Sequence, residues 1–78
     1  MENYKIFESK MKVADRFTLI NSDGDVFGFN EQPFHPLGFG QYCGNINQWK
    51  STTTKHLGKR ITIEQLSNQA RIFVEDRI

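Results

Sequence analysis

The clearest alternation of apolar and polar positions lies in the first half, where Arg16-Phe-Thr-Leu-Ile-Asn-Ser-Asp-Gly-Asp-Val-Phe-Gly-Phe29 sets two apolar runs around Asp23-Gly24. This pattern predicts a β-hairpin over about 16–30. A two-residue turn would oppose Leu19 to Gly28 and Thr18 to Phe29, mixing large and small residues on both faces. A three-residue loop, Ser22-Asp23-Gly24 with Gly24 left-handed, instead pairs Leu19 with Phe27 and Phe17 with Phe29. The second register is preferred, because alternation then collects Phe17, Leu19, Phe27 and Phe29 on one face.

At the other end, Thr62-Ile-Glu-Gln65 fits a capping box, with Ile61 and Leu66 at the staple positions. A helix over about 63–77 follows from it. At 100° per residue, Ile63, Leu66, Ala70, Phe73, Val74 and Ile78 fall within an arc of about 140°, while Ile72 points the other way. The β-prone run Arg71-Ile-Phe-Val74 is the competing strand.

The N-terminal segment carries two patterns. Tyr4, Phe7, Met11 and Ala14 have helical spacing, whereas Phe7, Ser9, Met11 and Val13 alternate with Glu8, Lys10 and Lys12 as in a half-buried strand. The strand is preferred, since it buries Val13 and leaves the three charges on the open side. Asn30 to Lys59 is rich in Gly, Pro, Asn and Thr and has little periodicity. His35-Pro-Leu-Gly38 suits a type I turn, and Pro33 and Pro36 push the residues before them to extended geometry. Val26–Glu31 and Pro36–Gln41 look alike, but six positions do not make a repeat. Thirty structureless residues are unusual in a small domain, so Phe39–Tyr42 and Trp49 through Thr54 are candidate short strands. The fold expected is α+β: an antiparallel sheet of three to five strands with the C-terminal helix packed on its apolar face.

Composition bounds this picture. Seventy-eight residues make a single small domain, one that buries only about 60–65% of the surface exposed on unfolding. Ten basic side chains against nine acidic give a formal charge of +1, which argues against a generally basic coat protein or an acidic disordered tail. With one cysteine there is no internal disulfide framework. There is no secretory apolar region near Met1, and no run approaches the roughly 20 residues needed to cross a bilayer. A cytoplasmic protein without membrane attachment is expected.

Candidate chemistry is sparse. Cys43 in Gly40-Gln-Tyr-Cys-Gly-Asn45, with His35 and His56, supplies the residue types of a thiol nucleophile. A small residue packed in a Gly-rich turn explains it more simply. The same three residues with an acid could ligate zinc, yet none forms the close pair that zinc motifs use. Asn21-Ser-Asp-Gly-Asp25 places oxygens at alternate positions, but its glycine is fourth rather than sixth, and a hairpin loop requires the same residues. Gly38-Phe-Gly40 lacks the rest of a phosphate-binding fingerprint. No cofactor or metal is implied.

Charge changes the picture more. Residues 1–39 sum to −2 and residues 40–78 to +3, and Gln32 to Ile63 contains no acid. That stretch holds Lys50, Lys55, Lys59 and Arg60 together with Phe34, Phe39, Tyr42 and Trp49. The reading is therefore a non-enzymatic module that recognises a protein partner through the segment 30–60, with Phe39, Tyr42, Trp49, Lys50, Lys55, Lys59 and Arg60 as contact residues. Nucleic-acid binding through the acid-free segment 32–63 is the alternative, since aromatic faces and cations together suit single strands. A minimal Cys-His enzyme centred on Cys43 comes third.

Overall fold

A computed structural model describes residues 3–10, 16–36, 40–49 and 55–78, with Lys55 described through its backbone. Five strands form one antiparallel sheet: β1 Lys5–Glu8, β2 Phe17–Ile20, β3 Asp25–Phe29, β4 Gln41–Asn45 and β5 Lys59–Ile61, in the order β4-β3-β2-β1-β5. A helix, α1 at Asn68–Glu75, follows the last strand, and single 3-10 turns occupy Ile46–Gln48, Lys55–Leu57 and Ile63–Gln65. The α+β arrangement with a C-terminal helix on the sheet is therefore the observed one.

The hairpin adopts the three-residue loop. Phe17 stands opposite Phe29 and Leu19 opposite Phe27, and Gly24 takes φ +86°. The Asn21 side chain organises the loop: its Oδ1 accepts from the N–H groups of Asp23 and Asp25, each at 3.0 Å. This makes the Asp-rich loop a turn device, and among the described residues no three His, Cys, Asp or Glu side chains gather as a metal site.

Both faces of the sheet are covered. On the first, Ile6, Phe17, Leu19, Phe29 and Ile61 meet Leu66, Ala70, Phe73 and Val74. On the second, Phe7, Ile20 and Val26 are buried beneath Ile46, Trp49 and Leu57. Adjacent residues of one strand point to opposite faces, so the doublets Ile6-Phe7, Leu19-Ile20 and Val26-Phe27 each supply both clusters. The N-terminal strand is thus present, but it is buried on both sides rather than half-buried. Met11 and Val13 lie outside the described residues.

The helix begins five residues later than the capping box implies. The box itself forms, with the Thr62 N–H donating to Gln65 Oε1 at 2.8 Å, but it closes a single 3-10 turn. Leu66 and Ser67 then return to extended geometry. The Ser67 hydroxyl donates to the Glu31 carbonyl at 2.6 Å, and its oxygen accepts from the Ala70 N–H at 3.3 Å. The second cap therefore depends on a tie to a residue 36 positions away, which local spacing does not reveal. Leu66, Ala70, Phe73 and Val74 are buried as the stripe requires, whereas Ile72 and Ile78 are each 50% exposed.

In the middle segment, a turn closes over Gln32 to His35. The His35 N–H donates to Gln32 O at 3.0 Å, so Pro33 occupies the position that favours proline. Leu37 and Gly38 of the later turn are outside the described residues. The anticipated strand at Phe39–Tyr42 overlaps the strand Gln41–Asn45, with Phe39 outside the described residues; Trp49 follows a 3-10 turn, and the rest of the candidate strand through Thr54 lies outside the described residues. Strand β5 carries no alternation long enough to be seen beforehand.

Gly58, at φ +106°, precedes β5 so closely against β1 that a Cβ would collide with the Glu8 carbonyl. Gly58→Ala should therefore destabilise the domain by at least about 2 kcal/mol, from left-handed strain plus displacement of β1 backbone. Urea unfolding should show a lower midpoint at unchanged slope. A variant as stable as the parent would show that the β1–β5 approach tolerates a side chain.

Candidate functional site

Among the described residues, the sequence-derived contact residues do not gather on one surface. Tyr42 stands on β4 at one edge of the sheet and Lys59 and Arg60 on β5 at the other, with three strands between them, about 19 Å at the usual strand spacing. Lys59 and Arg60 are consecutive and so face opposite sides. Trp49 is half-buried on the second face, its ring centroid 6.0 Å from that of His56. Lys55 lies in a 3-10 turn, and Phe39 and Lys50 are outside the described residues. Cys43 is exposed on β4, its Sγ 3.8 Å from the Gln41 carbonyl oxygen.

What does gather is a row of aromatic rings along the rim between α1 and the β3–β4 pair. The buried Phe73 ring lies 5.0 Å from Phe29 and 6.4 Å from Phe27. Phe34 stands 6.0 Å from Phe73 on one side, and Tyr42 stands 5.6 Å from Phe27 on the other. These separations fall in the range of favourable tilted and edge contacts. The register explains half of the row, since Tyr42 is the partner of Phe27 across β3 and β4. Phe34 is delivered by the turn that begins at Pro33.

Arg77 completes the shelf. Its guanidinium carbon lies 3.6 Å from the Phe73 ring centroid and 5.5 Å from that of Phe27. Its Nη1 donates to the Phe73 carbonyl at 2.9 Å, and its own carbonyl accepts from Asn21 Nδ2 at 3.0 Å. The guanidinium is thus held flat on the rings, where cation and quadrupole attract. At either end, Phe34 is 57% and Tyr42 59% exposed. An unbound small domain gains nothing by leaving both rings so open, and aromatic and arginine side chains are those enriched at protein interfaces. Sequence reasoning singled out Tyr42, and named Phe34 in the same acid-free stretch, but did not connect either with Phe27, Phe73 or Arg77. Helical spacing brings Phe73 and Arg77 together at i and i+4, which was the available signal.

Asp25 sets the orientation of Tyr42. Its Oδ1 accepts from the Tyr42 hydroxyl at 3.3 Å and from Asn45 Nδ2 at 3.0 Å, and Asn45 Nδ2 also donates to the Asp23 carbonyl at 2.9 Å. Desolvation by the surrounding chain, then the negative charge of Asp25 and its hydrogen bond, raise the Tyr42 phenol above its ordinary value of 10.0. Each favours the neutral hydroxyl.

Searches against protein-family models, curated proteins and solved structures found no match to the chain.

The Asp25 contact gives a titration to measure. Because the folded-state pKa of Tyr42 is raised, its contribution to stability is present below the unfolded tyrosine value and is lost as pH rises through the folded one. In a Tyr4→Phe background, tyrosinate absorbance should develop above the pH of a free tyrosine. Asp25→Asn should move it downward. Identical curves for the two proteins would show that Asp25 does not bear on the phenol.

Proposed function

We propose that the chain is a non-enzymatic binding module that recognises a protein partner through the aromatic shelf of Phe34, Phe27, Tyr42 and Arg77. One observation carries the reading: two aromatic rings, each more than half exposed, flank a guanidinium stacked on a buried phenylalanine. Interface hot spots have this composition, a rigid aromatic anchor with an arginine beside it. The partner that fits is a protein surface offering an apolar side chain to the rings and a carboxylate to Arg77. The shelf lies at the border of the segment 30–60 and draws its remaining members from β3 and α1.

Nucleic-acid binding finds less support. It needs stacking rings and cations along one track, whereas Tyr42 and the Lys59–Arg60 pair occupy opposite edges of the sheet. No described helix is long and apolar enough to cross a membrane. The location that goes with this reading is the cytoplasm, where a thiol exposed on a strand, such as that of Cys43, stays reduced.

Affinity capture from the native host, repeated with variants, tests the proposal. Phe34→Ala and Tyr42→Ala should each weaken retention of a captured protein by roughly 2 kcal/mol, about thirtyfold, as hot-spot truncations do. Lys59→Gln and Arg60→Gln should leave it unchanged, and retention should survive nuclease treatment. Thermal unfolding of each variant separates a lost contact from a lost fold. Loss of capture on the β5 variants, with both aromatic variants unaffected, would overturn the shelf as the recognition surface.

A further inference from the structure

The second face of the sheet carries a groove that is independent of the shelf. Lys5 stands opposite Ile20, and Phe7 opposite Arg60. Alternation along β1 therefore sets Lys5, Ile20 and Arg60, from three neighbouring strands, on one side. Lys5 and Arg60 are diagonal neighbours across the β1–β5 pair, about 7–8 Å apart at their backbones. Arg60 Nη2 lies 3.5 Å from the Tyr4 carbonyl oxygen, placing the guanidinium against the β1 end of the groove.

The facing wall comes from the hairpin loop and the 3-10 turn after β4, tied to each other by the Ile46 N–H donating to Gly24 O at 2.7 Å. Asn47 N–H donates to Asn45 Oδ1 at 2.9 Å, and Asn47 Nδ2 sits over Gly24, only 2.9 Å from where a Cβ would stand. Glycine at φ +86° is thus needed both for the turn and for the close approach of the wall. The groove measures about 350 Å³, and the described residues that line it include Lys5 and Arg60, with Asn3 and Asn47 as neutral hydrogen-bonding groups and the apolar Ile20 and Ile46.

We propose that this groove binds a small phosphate-bearing molecule of nucleoside-monophosphate size. The phosphate sits between Lys5 and Arg60, and the organic body lies over Ile20 and Ile46. Two cations of different kinds suit this division: arginine grips an oxyanion through a planar fork, and lysine supplies a compact point charge. The volume lies at the lower end of small-molecule sites, enough for a single nucleotide and too short to track a polymer.

Titration of the isotope-labelled protein with adenosine monophosphate, followed by amide shifts, tests the assignment. Shifts should centre on Ser22, Gly24 and Asn47, with a Kd on the order of 1 mM or tighter. Inorganic phosphate should compete and adenosine should not. Arg60→Gln and Lys5→Gln, both at exposed strand positions, should each weaken binding about tenfold, as loss of one charge-assisted contact does, whereas Lys10→Gln, outside the groove, should not. The inference is overturned by an absence of shifts, by shifts unchanged in the Arg60 and Lys5 variants, or by tighter binding of a short single-stranded oligonucleotide. The last result would make the groove a backbone contact of a polymer. None of these readouts depends on the shelf.

Discussion

The central strands are apolar on both sides, and the rest of the chain is arranged to satisfy that. A strand whose neighbouring residues are both large and apolar cannot expose either face to water without losing roughly 25 cal/mol for each Å² left uncovered. Ile6-Phe7, Leu19-Ile20 and Val26-Phe27 impose this at three places. One covering is the helix, which brings Ala70, Phe73 and Val74, with Leu66 just before it. On the other, Ile46, Trp49 and Leu57 come from two 3-10 turns and the residue that follows the first. These described turns cover part of the second face.

The aromatic shelf begins where the helix ends. Phe73 packs against Phe27 and Phe29 of β3, and Arg77, four residues on, lies over the rings of Phe73 and Phe27. A flexible cation with an apolar stem is suited to such a border, because it covers ring surface while its charge remains in water. The rings and the cation therefore come from β3, β4, α1, the residues after it and the Pro33 turn together.

Much of this arrangement was legible in the amino-acid order, and what was hidden had specific causes. The hairpin register could be read because Phe17, Leu19, Phe27 and Phe29 discriminate between two loops that move every side chain to the other face. The stripe of α1 could be read from its period. Its start could not, since Thr62 and Gln65 form a sound local box while the operative cap, Ser67, is anchored by the distant Glu31 carbonyl. The doublets were a neglected signal, because adjacent apolar residues within a strand mark burial on both sides. Phe34 stands out in sequence only as one aromatic of the acid-free stretch and Arg77 belongs to no motif; the packing of Phe73 between them makes them one surface.

Charge followed the same logic of strand pairing. In linear order the chain divides into a net acidic half and a net basic half, with the cations of residues 50–60 grouped together. Strand alternation separates two of them, since Lys59 and Arg60 leave β5 on opposite faces. Antiparallel pairing of β5 with β1 then sets Arg60 diagonal to Lys5, a cation from the acidic half. A block of charge in sequence becomes a patch only if its residues share a face, and Lys59 and Arg60 do not. The cationic groove instead takes one residue from each half, through a pairing between strands more than fifty positions apart that no local count of charge could reveal.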